Sequence, residues 1–249
     1  MKILLSNDDG VDSLGLSALV GAFAGAHSVW VAAPDKQQSA VSRAMTLYAP
    51  LRAVRYTLQD FREVEAYAVS GTPVDCVRLA LGNLLPRPDA MLSGINIGPN
   101  LGTDTLYSGT CAAAQEAAVR GGFPALAISI ASFTPKYLDT AAAVAKRALD
   151  WAVKHPLPFG AFYNVNVPDL PLGQIRGARR TGLALVEYQA KYEERLDPIG
   201  RKYYWAPREL VTERMGQDSD ARWIAEGYVT VTALSYDGAV DWESGEIAF

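Results

Sequence analysis

The sequence predicts an α/β fold with a mostly parallel sheet, and three observations support this prediction. Short apolar runs without a helical period alternate with segments in which apolar residues recur at helical spacing, as strands and helices do in βαβ units. The runs are apolar at successive positions, which is typical of strands buried on both faces of a parallel sheet. Several runs end in polar or glycine-rich clusters, and open α/β sheets bind their ligands at the carboxyl ends of their strands.

The start of the chain forms the first βαβ unit. Residues 3–5 are an apolar strand, residues 11–26 have the leucine spacing of a helix, and residues 29–34 are a second strand. The crossover between two such parallel strands is right-handed in almost all proteins. A polar loop at residues 35–45 comes next. Two extended stretches are predicted after it, at residues 46–54 and 65–69.

The alternation of helices and strands continues to about residue 173. Thr72 and Pro73 predict a helix start, because threonine caps helices and proline suits the first helical position. The predicted helices are residues 70–82, 111–120 and 139–153, and the predicted strands are residues 88–96, 125–130 and 161–168.

The pattern changes after Gly173. Residues 174–192 and 201–207 are rich in charged and aromatic residues with little helical period, which favours hairpin strands over another βαβ unit. A short helix at residues 218–226 and an alternating strand at residues 228–236 are predicted after them. We therefore divide the chain into a core of residues 1–173 and a carboxyl-terminal hairpin and arm region of residues 174–249, both parts of one single-domain unit.

Composition and charge exclude several classes of protein. The 249 residues are 49% hydrophobic and 20% charged, with a formal charge of −4 and no basic run, so a nucleic-acid polymer is not an expected partner. No apolar stretch reaches the roughly 18 residues that cross a membrane, and the chain begins with a strand pattern instead of a secretion signal, so we expect a cytoplasmic protein. Two cysteines and two histidines are too few for a disulfide framework or a histidine-rich zinc site.

Polar side chains follow three of the predicted strands. They are Asn7, Asp8 and Asp9 after the first strand, Ser39, Ser42 and Arg43 after the second, and Asn96 at the end of the strand of residues 88–96. Because these strands end at one edge of the sheet, we expect the side chains to lie together. Carboxylate, hydroxyl and amide oxygens are ligands of Mg²⁺ and Mn²⁺, so the cluster predicts a site for one such cation. The alternative is an ordinary turn in which one aspartate caps the next helix.

Ser108, Gly109 and Thr110 form the second part of the predicted site. They connect a glycine-rich segment to the helix of residues 111–120. Free N–H groups and the positive end of the dipole attract anions at a helix start, and a glycine lets a phosphate approach the backbone closely. The alternative is that Ser108 or Thr110 only caps the helix. The segment is neither a P-loop nor a dinucleotide-binding fingerprint.

A cation site facing an anion site, without a nucleophile–histidine pair, indicates metal-assisted hydrolysis of a phosphate ester. The metal would lower the pKa of a bound water and stabilise charge on the phosphate oxygens. Asp8 or Asp9 could instead act as a general base toward that water, or one of them could attack phosphorus and give an aspartyl phosphate. The residues alone leave these routes open.

Seven segments form an ordered set of motifs along the chain. They are residues 3–10 (ILLSNDDG), 33–39 (APDKQQS), 69–76 (VSGTPVDC), 93–102 (SGINIGPNLG), 104–110 (DTLYSGT), 163–168 (YNVNVP) and 226–232 (EGYVTVT). Together they are far more specific than Asn-Asp-Asp-Gly alone. On these segments the chain closely resembles the survival protein SurE family, the stationary-phase nucleotidases.

The resemblance implies a Rossmann-like, three-layer core and a metal-dependent phosphatase acting on nucleoside 5′- and 3′-monophosphates, with short polyphosphate as a further candidate substrate. One divalent cation per subunit, Mg²⁺ or Mn²⁺, is expected on Asp8, Asp9, Ser39 and Asn96, with Asp8, Asp9 and Asn96 taking part in catalysis. The expected phosphate and substrate contacts are Asn7, Ser39, Ser42, Arg43, Ser108, Gly109 and Thr110. The carboxyl-terminal region is expected to build homodimers or homotetramers through hairpin and swapped-arm contacts.

The loop after the second strand departs from the family pattern at one position. Ala40 stands where family members usually carry glycine. Its Cβ atom would be strained if the loop requires a positive φ at this residue. The departure therefore concerns the conformation of the loop, and it leaves Ser39 as an expected ligand.

Two other functions fit part of the pattern. A phospho-receiver module also places an acid pair after its first strand, but it is much shorter and needs an acceptor aspartate at a later strand end, where this chain has Asn96. A nucleotide-binding protein without turnover would use the same residues. Release of phosphate from a nucleoside monophosphate separates this second alternative from a hydrolase.

Overall fold

The structure, a computed structural model, describes residues 1–188, 191–206, 210–214 and 216–237. Its strands are β1 (Lys2–Ser6), β2 (Ser28–Pro34), β3 (Ala53–Tyr56), β4 (Glu65–Val69), β5 (Ala90–Ile97), β6 (Ala125–Ile130), β7 (Ala161–Val167), β8 (Ala178–Arg180), β9 (Leu185–Tyr188), β10 (Glu193–Leu196), β11 (Lys202–Trp205), β12 (Leu210–Arg214) and β13 (Val229–Ser235). Its α-helices are α1 (Leu14–Phe23), α2 (Pro73–Leu79), α3 (Gly109–Gly121), α4 (Leu138–Lys154) and α5 (Asp220–Ala225). Within the described ranges, no helix is both long enough and apolar enough to cross a membrane.

Nine strands form one sheet in the order β3-β4-β2-β1-β5-β6-β7-β13-β8. The strands from β4 to β7 in this order all pair in parallel. β3 and β13 pair antiparallel with β4 and β7, and β8 pairs in parallel with β13. The predicted α/β fold with a mostly parallel sheet is confirmed.

The central strand β1 shows how the layers form. Its Ile3, Leu4 and Leu5 are at most 1% exposed. Ile3 and Leu5 pack in one apolar cluster with α1 and α4, whereas Leu4 packs in a second cluster with α2 and α3. Because successive side chains of a strand point to opposite faces, the helices cover both faces of the sheet. The three-layer arrangement is therefore confirmed.

Side-chain caps define the starts of the first two helices. The hydroxyl of Ser13 accepts from the N–H of Leu16 at 3.2 Å and starts α1, later than predicted because residues 10–13 form a turn. Thr72 and Asp75 cap α2 reciprocally: each side chain accepts from the N–H of the other residue, at 3.2 and 3.0 Å. The predicted cap at Thr72 is confirmed, and such caps stabilise a helix by about 1 kcal/mol.

The carboxyl-terminal region contributes both to the sheet and to separate hairpins. β13 and β8 extend the sheet beyond β7, so the sheet continues past the boundary drawn at residue 173. β9 pairs with β12 and β10 with β11, each antiparallel. This confirms the predicted hairpin strands in the described parts of the region, and residues 238–249 of the arm lie outside the described residues.

Gly15 lets α1 lie directly on β5. A Cβ atom at this position would be 1.9 Å from the carbonyl oxygen of Ile95 and 2.9 Å from its carbonyl carbon. Both contacting atoms belong to the backbone of a buried strand, so neither can move without shifting the sheet. The absence of a side chain at residue 15 therefore sets the distance between α1 and the sheet.

We expect Gly15→Ala to lower the free energy of unfolding by about 2 kcal/mol or more, because the added methyl group overpacks the contact with Ile95. Urea denaturation of the purified variant measures this change. Gly25→Ala is the matched control, since a Cβ atom there meets no atom within 4 Å, and its stability should change by no more than about 0.5 kcal/mol. Equal stability of the two variants would contradict the proposed role of Gly15.

Candidate active site

Asn7 fixes the turn that follows β1. Its amide nitrogen donates to the carbonyl oxygen of Gly10 at 2.8 Å and to the hydroxyl of Ser13 at 2.7 Å. Its amide oxygen accepts from the N–H of Gly10 at 3.3 Å. The side chain is fully buried. Both polar atoms of Asn7 are thus bonded inside the turn, and its predicted contact with the substrate stays a prediction.

Asp8 lies between the loop after β2 and the start of α3. Its carboxylate accepts a 2.5 Å hydrogen bond from the hydroxyl of Thr110, and its carbonyl oxygen accepts from the N–H of Gln38 at 2.7 Å. A Cβ atom at Gly109 would be 2.8 Å from the Cβ of Asp8. The first residue of α3 therefore touches Asp8, and only a glycine fits there.

Asp9 connects the same turn to the end of β5. Its carboxylate accepts from the N–H of Ile97 at 3.3 Å. The neighbouring Asn96 uses its amide nitrogen to donate to the carbonyl oxygen of Gly98 at 2.8 Å, and no described residue donates to its amide oxygen. The structure thus brings Asp8, Asp9 and the end of β5 together, as the sheet-edge argument predicted.

The loop after β2 runs from the aspartates to the segment before α3. Ser39 is exposed in this loop. The hydroxyl of Ser42 donates to the carbonyl oxygen of Leu106 at 2.7 Å. The backbone N–H of Ser42 donates to the carbonyl oxygen of Tyr107 at 3.0 Å. Ser42 therefore fastens the loop to the neighbouring segment. Arg43 is exposed and lines a cavity of about 160 Å³ beside α3.

Two residues of this loop have a left-handed backbone. Ala40 has a φ of 57° and Ser42 a φ of 52°. The Cβ atom of an ordinary residue makes this conformation unfavourable by about 1–2 kcal/mol, a cost that glycine avoids. The position where the family usually carries glycine does require a positive φ, so Ala40 holds a strained conformation in this chain.

At the start of α3, backbone N–H groups are more available to an anion than side-chain hydroxyls. Ser108 caps the helix, since its hydroxyl accepts from the N–H of Cys111 at 3.0 Å. The hydroxyl of Thr110 donates to Asp8. Both hydroxyls are thus bonded within the protein, and the predicted phosphate contacts of Ser108 and Thr110 stay predictions. The N–H of Gly109 and the positive end of this 13-residue helix are the groups that attract a negative charge here.

Burial dominates the electrostatics of the two aspartates. It raises the pKa of Asp8 to about 6, aided by the charge of Asp9 and opposed by the hydrogen bond from Thr110. Burial also raises the pKa of Asp9, against the hydrogen bond from Ile97. Neither aspartate forms an ion pair with a lysine or arginine in the described part of the chain. The pair therefore lacks a positive partner, which a divalent cation would supply.

The oxygen atoms at this edge fit a hard cation. Among the described residues, no group of three histidine, cysteine, aspartate or glutamate side chains could hold a metal. A metal bound by Asp8 and Asp9 would need hydroxyl and amide oxygens beside the two carboxylates, and Ser39 and Asn96 carry such oxygens. A mixed set of oxygen ligands suits Mg²⁺ or Mn²⁺.

Two further residues contact the segment between β5 and α3, and sequence reasoning missed both. Phe133 follows β6, and its ring is 80% exposed; a Cβ atom at Gly98 would be 2.6 Å from this ring, so the ring lies against the loop next to Asn96. Asp220 is fully buried on α5 and accepts from the N–H groups of Gly102 at 2.8 Å and Ala184 at 2.9 Å. An aromatic residue directly after a strand was the available signal for Phe133, whereas Asp220 gave none.

Comparisons with known proteins agree on one family. The family model described as Survival protein SurE matches residues 3–190. A protein of Synechococcus sp. (strain JA-3-3Ab) named 5′-nucleotidase SurE is 46% identical over 240 residues, which cover 95% of this chain and 92% of the relative. A protein of the same name from Aeromonas hydrophila is 44% identical over 238 residues, covering 95% and 93%.

A solved structure has the same architecture. The crystal structure of the SurE protein from Aquifex aeolicus superimposes with a TM-score of 0.79 at 33% sequence identity. The superposition covers 96% of this chain and 95% of the other. The similarity therefore extends over the core and most of the carboxyl-terminal region.

We expect Asp8→Asn to stabilise the metal-free protein above pH 7. The pKa of Asp8 rises from 3.8 to about 6 on folding, so its contribution is favourable below pH 4 and is lost as the pH rises through 6. Asparagine has no charge to bury and can still accept from Thr110, so the gain at pH 8 is about 3 kcal/mol.

Thermal unfolding in EDTA at pH 5 and pH 8 measures this effect. The stability of the wild-type protein should fall relative to that of the variant as the pH rises. Asp35→Asn, which changes an exposed carboxylate of the neighbouring loop, should alter stability by less than about 0.5 kcal/mol. A variant less stable than the wild-type protein at pH 8 would show that the buried charge is compensated within the chain.

Proposed function

This chain belongs to the SurE survival-protein family, and we propose that it is a divalent-metal-dependent nucleotidase that releases phosphate from nucleoside 5′- and 3′-monophosphates, with short polyphosphate as a further substrate. One observation carries the proposal. The buried carboxylate of Asp8 lies against the amino-terminal end of α3, the adjacent half-buried carboxylate of Asp9 lies against the end of β5, and neither has a described basic partner. The site thus combines a place for a cation with a place for a phosphate.

The proposed metal ligands are Asp8, Asp9, Ser39 and Asn96, holding one Mg²⁺ or Mn²⁺ per subunit. A cation held there supplies positive charge to the phosphate oxygens and acidifies a coordinated water. The raised pKa of both aspartates supports this assignment. So does the amide oxygen of Asn96, which accepts no hydrogen bond from a described residue. Asn7 and Gln38 contribute indirectly, because they fix the turn and the loop that present these ligands.

The two aspartates take different roles in the proposed hydrolysis. Asp8 is the more buried and is held by Thr110, so it serves as a fixed ligand. Asp9 is more open to solvent and accepts the proton of the attacking water. As the water oxygen bonds to phosphorus and its proton passes to Asp9, the bond from phosphorus to the ribose oxygen breaks, and that oxygen takes up a proton from bulk water and leaves as a hydroxyl.

The phosphate is proposed to bind at the start of α3. The N–H of Gly109 and the helix dipole hold its oxygens, and the absence of a side chain at Gly109 permits the close approach. Arg43, which lines the cavity beside α3 together with Ser108, adds positive charge, and Ser39 is proposed to add a hydroxyl donor. Ser42, Ser108 and Thr110 contribute mainly through the hydrogen bonds that fix the loop, the helix start and Asp8.

The nucleobase is proposed to stack on Phe133. The exposed ring lies against Gly98, in the loop that follows Asn96 and the end of β5. Stacking on an aromatic ring accepts any base, because every base has a π face. An aromatic platform of this kind would give the enzyme a preference for nucleotides over simple phosphate esters without selecting one base.

The carboxyl-terminal region is proposed to assemble homodimers or homotetramers. The hairpin strand β11 exposes Tyr203, Tyr204 and Trp205 by 38%, 56% and 57%. Aromatic side chains are enriched in protein interfaces, so this strand is the natural contact surface for a second copy. The boundary at residue 173 then separates the part that carries the site from the part that carries the assembly contacts.

The function is tested by incubating the purified protein with AMP or 3′-AMP and measuring released phosphate. We expect release with Mn²⁺ or Mg²⁺, none in EDTA, and a loss of at least about a hundredfold in Asp8→Asn, which removes an anionic ligand. The same cations should raise the melting temperature of the wild-type protein and not that of Asp8→Asn. Asp35→Asn is the control and should retain both responses. Nucleotide binding without phosphate release would identify a binding protein instead.

The role of Phe133 is tested by its replacement with alanine. We expect KM for AMP to rise about 5- to 100-fold with little change in kcat, because stacking of a base contributes about 1–3 kcal/mol. Hydrolysis of ribose 5-phosphate, which has no base, should not change, and Phe133→Trp should restore AMP binding. Phe159→Ala, at another exposed phenylalanine, is the control. An equal loss for both substrates would remove the stacking role.

A further inference from the structure

A second cavity, of about 470 Å³, lies between α4 and the far end of the sheet. Its walls come from α4, β6, β7, β13, β8 and the segment before β8, and it shares no lining residue with the candidate active site. The volume falls in the range of cavities that hold small organic ligands, about 300–1,000 Å³. The nucleotidase proposal makes no use of this cavity.

The floor of the cavity is apolar. Leu126, Val165 and Val229 are at most 4% exposed and come from three neighbouring strands. The hydroxyl of Tyr163, which also lines the cavity, donates to the carbonyl oxygen of His155 at 2.6 Å. Because this hydroxyl is already bonded, the floor offers a ligand mainly apolar contact, and a polar nucleoside would leave its hydrogen-bonding groups unpaired there.

The rim of the cavity is basic. Its charged side chains are Arg147 and Arg180, and no lining residue is an aspartate or glutamate. Within the part of the chain that the structure describes, neither of these two arginines forms an ion pair. Two guanidinium groups beside an apolar floor therefore leave an uncompensated positive charge at the mouth of the cavity.

An aromatic ring holds one of these guanidinium groups in place. Arg180 lies 5.5 Å from the ring centroid of Trp151, which itself lines the cavity. Its neighbour Arg179 points to the opposite face of β8, where it stacks on Trp223 and Tyr228 at 4.3 and 4.9 Å, outside the cavity. A guanidinium group stacked on a ring keeps its N–H donors at the edge free for an anion. The rim is thus ordered before any ligand binds.

We propose that this cavity binds a small organic anion with an apolar body, such as a medium-chain carboxylate. The carboxylate accepts hydrogen bonds from the arginine rim, and the chain lies on the floor formed by the three strands. Arginine recognises carboxylates through paired N–H donors, and the apolar body replaces water on the floor. The site is independent of the nucleotidase proposal, and its ligand is not hydrolysed there.

Titration of the full chain with decanoate in a calorimeter tests the proposal. We expect saturable binding, binding of 1-octanol at least about tenfold weaker than that of octanoate because it lacks the charge, and no heat from inorganic phosphate alone. Arg180→Ala should weaken decanoate binding about tenfold. Arg176→Ala is the matched control: this arginine stacks on Tyr228 at 5.0 Å but does not line the cavity, and its replacement should not change binding.

A second pair of variants tests the α4 side of the rim. Arg147→Ala should weaken binding, whereas Lys146→Ala, at the exposed neighbour outside the cavity, should not. Ala148→Trp should abolish binding by filling the cavity, provided that its melting curve is cooperative. AMP hydrolysis should be the same in all these variants as in the wild-type protein.

Three results would overturn the proposal. They are no decanoate binding, equal binding by the wild-type protein and the arginine variants, and displacement of decanoate by a synthetic peptide of residues 238–249. The peptide carries three acidic residues, Asp241, Glu243 and Glu246, among apolar ones. Its competition with decanoate would therefore assign the cavity to the chain's own end.

Discussion

The hydrogen bond between Thr110 and Asp8 is the contact on which the site depends. It joins the end of β1 to the first turn of α3 across 102 positions of sequence. Gly109 makes the contact possible, because a Cβ atom there would be 2.8 Å from the Cβ of Asp8. The same packing buries Asp8 and raises its pKa. The arrangement that brings an anion-binding helix start to the acids therefore also leaves the acids without positive charge, and it creates the need for a cation.

The antiparallel end of the sheet holds the glycine-rich loop before α3. The carboxylate of Asp220 binds the N–H of Gly102. The amide oxygen of Asn166, on β7, accepts from the N–H of Asn100 at 2.8 Å, and the amide nitrogens of Asn164 and Asn166 donate to the carbonyl oxygen of Asn100 at 2.8 and 3.0 Å. These bonds satisfy the buried backbone of a loop without regular structure. The position of the α3 start therefore depends on residues of β7 and α5.

The sequence predicted the framework well because local patterns determine it. The apolar run before Asp8 identifies β1, the cap at Thr72 identifies α2, and the change of composition after Gly173 identifies the hairpins. The roles of individual polar residues were harder to predict. Ser42 binds the carbonyl oxygen of Leu106, 64 positions away, and Asp220 binds a loop 118 positions away. Neither partner follows from spacing, since only the folded sheet brings these segments together.

The bend that follows β1 gives the neighbouring aspartates different surroundings. β1 ends at Ser6, and Asp8 and Asp9 lie in a bend that hydrogen bonds between Asn7 and Gly10 close. Asp8 consequently meets α3 on one side, while Asp9 meets the N–H of Ile97 at the end of β5. Asn7 keeps this division fixed by closing the turn onto Gly10 and Ser13. One short turn thus presents a buried carboxylate to the start of α3 and a more open carboxylate to the end of β5, which carries Asn96.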